Sequence, residues 1–111
     1  MTIEIMNIKY NKPVEPWDVK VDRSSVLGNP FYMKSESQRE EVCKKYEEWL
    51  LGKMNNKMDS DVFFEMVRLF ELYEKHGKLR LFCWCAPKQC HAESIKRILI
   101  ETKERRANKG K

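Results

Sequence analysis

A chain of 111 residues, 41% hydrophobic and 35% charged, fits one globular domain that folds without staples, and this composition excludes a disordered chain. No apolar run approaches the roughly 20 residues that span a bilayer, and no hydrophobic core follows a basic start, so a cytoplasmic protein without membrane contact is expected. The net charge of +5 is concentrated at one end: the last nine residues hold five bases against one acid, leaving 17 bases and 16 acids elsewhere. Residues 1–102 are therefore read as a single domain and residues 103–111 as a basic, solvated tail, the one place where nucleic acid would be met.

Residues 3 to 9 are β-prone and partly alternating and read as a first strand, which Pro13 and Pro16 terminate. Asp18 to Asp22 alternates cleanly, with Val19 and Val21 on one face, and reads as a second strand. The turn formers of Arg23 to Phe31 make a loop. Ser37 and Glu40 have the spacing of a capping box, and Val42, Cys43, Tyr46, Trp49 and Leu50 recur at helical period to about residue 51. Residues 52–57 read as a polar break. Asp59 or Ser60 opens a second helix with Val62, Phe63, Met66, Val67, Phe70 and Tyr73 along one side, and Gly77 closes it. Leu79 to Trp84 is the most apolar short run and predicts a central strand, with Trp84 packed in the core. A third helix starts near Cys90 or His91 and turns Ile95, Ile98 and Leu99 inward.

The order β-β-α-α-β-α predicts an α/β domain of two or three layers, with a short, mostly parallel sheet of about three strands and three helices. Ligands of open α/β sheets gather beyond the carboxyl ends of the strands. If the second and third strands are parallel, the loop Arg23 to Phe31 and the loop Cys85 to His91 share one edge. Gly28 and Asn29 tolerate unusual backbone angles that let N–H groups converge, and Arg23 offers a planar fork for a phosphate or carboxylate. The start of the third helix favours an anion and the thiolate form of Cys90, and His91 suits acid–base work near neutral pH.

Three of the four cysteines, Cys83, Cys85 and Cys90, fall within eight residues beside His91. Such clustering points to reduced thiols rather than a disulfide scaffold. No metal and no other cofactor is expected. If zinc were held, its ligands would be Cys83, Cys85, Cys90 and His91, although their spacing lacks the usual paired knuckles.

Asn7, Val21-Asp22-Arg23, Leu27-Gly28-Asn29-Pro30-Phe31, Arg39, Tyr46 and Cys83-Trp84-Cys85-Ala86-Pro87 followed by Cys90-His91 together resemble the domain-of-unknown-function family numbered 4326, found in bacteria and bacteriophages. The resemblance spans roughly residues 7 to 100 in the same order. Asp22 departs from it, standing where many members have glycine. A fainter similarity to the uncharacterised family numbered 488 is carried by Val21-Asp22-Arg23 and Cys90-His91, and it favours that last pair as the functional one. Neither resemblance implies a reaction.

The expected function is binding of a nucleotide-like or other phosphorylated small molecule by Arg23, Ser24, Gly28, Asn29, Phe31, Arg39, Cys85 and Pro87. Cys90 and His91 are the candidate catalytic pair should the protein be an enzyme. The alternatives are a non-catalytic phage or host accessory protein that acts through protein binding or sequestration, with Trp49 or Tyr32 exposed, and a zinc-stabilised module.

Overall fold

The structure, a computed structural model, describes residues 2–31, 34–55, 60–84 and 90–109. Strands β1 (Thr2–Asn7), β2 (Asp18–Lys20) and β3 (Lys78–Cys83) form one sheet in the order β1-β3-β2, with both neighbouring pairs parallel. Helices α1 (Arg39–Asn55) and α2 (Asp61–His76) connect β2 to β3, and α3 (Ala92–Lys109) follows β3. The β-β-α-α-β-α order and the parallel α/β sheet are as the sequence predicts.

Period-two alternation divides the sheet into two unlike faces. Ile3, Val19, Val21, Leu79, Leu81 and Cys83 point to one face and share a buried cluster with Tyr46 and Leu50 of α1, Met66 and Leu69 of α2, and Ile95 and Leu99 of α3. Helices therefore cover that face, giving two layers. Arg80 looks the other way, which reconciles a charge with a central strand. Its guanidinium donates to both carboxylate oxygens of Asp18, at 2.6 and 2.7 Å. Burial alone would raise the Asp18 carboxyl, but hydrogen bonds from Arg80 and from the Glu15 and Val14 amides outweigh it and hold the pKa at about 2.

The expected capping box at Ser37 does not form. A single 3₁₀ turn, Glu36–Gln38, precedes α1, and Ser37 Oγ meets Ser35 Oγ instead of an amide. Gln38 takes over part of the capping by accepting the Lys34 amide. Nor does α1 stop at residue 51; it runs through Gly52 to Asn55, and Met54 in this added stretch packs partly buried against the core. At α2 the reading holds: Ser60 Oγ accepts the Phe63 amide, and Gly77 adopts a left-handed φ of 71°. Val67, expected inside, is exposed, and Leu69 takes a core position.

The basic segment expected as a tail continues α3 as far as Lys109. Lys103 Nζ donates to Glu74 at 3.2 Å, and the Arg106 guanidinium lies 4.7 Å from the centre of the Phe70 ring. Among the described residues, no helix is long and apolar enough to cross a membrane.

Candidate functional site

Because β2 and β3 are parallel neighbours, the chain leaves both at the same sheet edge. Beyond Lys20, Val21 keeps the ladder for one more residue by donating its amide to Phe82 O. The chain then turns back on itself. The Ser25 amide donates to Asp22 O, the Gly28 amide to Ser25 O, and the Leu27 amide to Ser25 Oγ. A Cβ at Gly28 would lie 2.5 Å from Asp22 O and 2.6 Å from Arg23 Cα, so glycine is required by close backbone approach.

That geometry corrects the expected anion loop. Neither Gly28 nor Asn29 takes a left-handed angle, and the loop amides of Ser24, Ser25, Leu27, Gly28 and Phe31 are turned onto partners within the loop. At the start of α3, Glu93 Oε2 accepts the Cys90 amide at 3.3 Å, occupying a donor that an anion would use. Positive charge at this edge comes instead from arginine side chains.

The loop after β2, the start of α1, and Trp84, Cys90 and His91 line a cavity of about 510 Å³. Arg23, Asn29 and Phe31 reach it from the first loop, Arg39 from α1, and Cys90 and His91 from the approach to α3. Arg39 is held by a two-point ion pair with Glu36, at 2.8 and 2.9 Å. Trp84, expected in the core, is 60% exposed and also lines the cavity. It stands one residue past the ladder on the side opposite Cys83, and its Nε1–H donates to Asp22 Oδ2 at 3.2 Å. Burial tends to raise Asp22, but hydrogen bonds from the Ser24 hydroxyl, Trp84 and the Ser24 amide prevail, so the carboxyl sits below its ordinary range.

His91 is buried, and its Nε2 donates to the carbonyl of Val21. This bond fixes the Nε2–H tautomer and leaves Nδ1 as the acceptor nitrogen. The Tyr46 ring meets the imidazole edge-on with centroids 5.0 Å apart, while Tyr46 Oη–H donates to Leu27 O at 2.7 Å. Burial lowers the His91 pKa, aided by Arg23 and opposed by the Val21 carbonyl and Asp22. The imidazole is therefore neutral at pH 7. One residue thus clamps the end of β2 to the start of α3, a holding role that spacing alone did not reveal.

Of the remaining candidates, Ser24 is exposed and turns its hydroxyl to Asp22, and neither it nor Gly28 lines the cavity. Cys85, Pro87 and Tyr32 lie outside the described residues. Trp49, a candidate for exposure, packs partly buried on Tyr46. Cys83 Sγ and Cys90 Sγ are 3.2 Å apart without a disulfide. Among the described residues, no three His, Cys, Asp or Glu side chains form a group able to hold a metal. Asp22, Val42 and Cys43 line the cavity although the sequence did not single them out as site residues. The inward side of the first helix was legible for Val42 and Cys43, but period alone cannot tell a core position from a cavity wall.

No curated protein and no solved structure matches the chain. Residues 6–101 match the family described as Domain of unknown function (DUF4326), and over that span, which holds every cavity-lining residue, the chain belongs to it.

Proposed function

We propose that the cavity beyond β2 and β3 binds a small phosphorylated or nucleotide-like molecule. The observation that carries this reading is the meeting of Arg23 and Arg39 with the exposed indole of Trp84 in one cavity. The guanidiniums of Arg23 and Arg39, the latter also paired with Glu36, bring anion-binding groups to the cavity wall, and the indole offers a flat face to a ring. The volume lies within the range common for small-ligand sites.

Binding needs no reaction. A covalent role would fall to Cys90 rather than His91, whose Nε2 is committed to Val21. Thermal denaturation with nucleoside mono-, di- and triphosphates, sugar phosphates and inorganic phosphate tests the reading. A ligand at 100 times its Kd stabilises by about 2.7 kcal/mol, which for a domain of this size raises Tm by on the order of 10 °C. Arg23→Ala and Arg39→Ala are expected to shrink that shift, and Trp84→Ala to shrink it for ring-bearing ligands. No shift with any member of the panel would refute the reading.

A further inference from the structure

Two sulfurs meet where β3 ends and α3 is about to begin. Cys83 Sγ and Cys90 Sγ are 3.2 Å apart, and a disulfide bond is about 2.05 Å long, so closure asks for a movement of about 1 Å. The two thiols differ in access. Cys83 is fully buried under the helices, whereas Cys90, itself 3% exposed, lines both the site cavity and a second cavity between α1 and α3. A small oxidant entering either cavity can reach Cys90, which lines both as Cys43 does, and Cys83 lies 3.2 Å behind Cys90 without lining either.

We propose that Cys83 and Cys90 form a peroxide-responsive dithiol site, with Cys90 oxidised first and Cys83 resolving it as an intramolecular disulfide. In the first step the Cys90 sulfur attacks one peroxide oxygen and the O–O bond breaks. The thiol proton leaves with the other oxygen as water, and Cys90 becomes a sulfenic acid. In the second step the Cys83 sulfur attacks the Cys90 sulfur, the S–O bond breaks, and the hydroxyl departs with the Cys83 proton as a second water. Two thiols and one hydrogen peroxide thus give one disulfide and two waters. The product ties the end of the central strand to the start of α3 and removes a thiol from the cavity wall. This inference stands apart from the ligand reading, since it needs only the sulfur pair and access for a molecule the size of peroxide.

The test uses the full chain, reduced, desalted and exposed to hydrogen peroxide. Its intact mass is expected to fall by about 2 Da, two of its four thiols to escape alkylation, and dithiothreitol to restore both. Trypsin cuts after Lys88, separating Cys83 from Cys90, and the two peptides are expected to stay joined until reduced. Cys85→Ala is expected to keep the cross-link, because the proposed bond joins Cys83 to Cys90. Cys83→Ala is expected to leave Cys90 as a sulfenic acid trapped by dimedone. A bond mapped to Cys43 or Cys85, or Cys90 oxidised in the wild type with no disulfide, would overturn the proposal. So would an unchanged mass and thiol count after peroxide.

Discussion

Replacing His91 by phenylalanine isolates the clamp between β2 and α3. Phenylalanine keeps a ring against Tyr46 but removes the donor to the Val21 carbonyl. A buried acceptor left without its partner costs about 1–3 kcal/mol, so His91→Phe is expected to be less stable by that amount at pH 7.5. The loss should also depend on pH. The folded pKa lies below the ordinary 6.5 because burial disfavours the imidazolium. The unfolded chain therefore binds a proton near pH 6.5 that the folded chain refuses.

It follows that the wild type holds its full stability above pH 6.5 and loses some as pH falls below it, until the folded pKa is reached. One proton sets the ceiling, about 1.4 kcal/mol between pH 7.5 and 5.5. The variant has no such group, so the gap between the two proteins should narrow by up to that amount at pH 5.5. Arg23 and Asp22 from the loop and Tyr46 from α1 face the imidazole, yet Asp22 is held below its ordinary carboxylate range and Tyr46 is pushed above its phenol range. Neither changes charge in this window. Urea unfolding at the two pH values measures the gap. A gap that stays constant or widens on acidification would refute the burial argument.

Gly28→Ala forces a Cβ into Asp22 O and Arg23 Cα, backbone atoms that cannot swing aside, and should cost about 1–3 kcal/mol in urea unfolding; a change within about 0.5 kcal/mol would show that the turn yields. Tyr46→Phe removes the hydroxyl from the buried Leu27 carbonyl and should cost a similar amount, again read by urea. Asp18→Asn should flatten the acid limb of stability. The carboxylate pairing with Arg80 is fully present above about pH 3.8 and is lost as pH falls through about 2, so a wild-type acid transition unchanged in the variant would count against it.

The elements were legible wherever one residue type has one structural use. Ser60 before an apolar period and Gly77 after it marked both ends of α2, and each makes the predicted cap. Ser37 and Glu40 carried an equally good signal that failed, because Ser35 and Gln38 compete for the same turn and build a 3₁₀ entry instead. Trp84 was misplaced for a related reason. Its hydrophobicity says core, but its position one residue beyond the ladder puts it at the sheet edge, where Asp22 can accept its indole N–H. No local pattern records a contact across 62 residues.

The same distinction explains why the location of the cavity was legible and its chemistry was not. Parallel pairing of β2 with β3 obliges Arg23 and Cys90 to emerge on one edge, and that obligation can be read from element order. How the polar atoms are spent there cannot. The loop amides that looked available for an anion close the turn, the Glu93 carboxylate takes the Cys90 amide, and the imidazole that looked poised for proton transfer holds a carbonyl. Hydrogen-bonding capacity is finite, so each group used to build the edge is withdrawn from the ligand. Arg23, Arg39, Trp84 and Cys90 line the cavity, Arg39 while paired with Glu36, and those are the groups on which binding and oxidation experiments should first be spent.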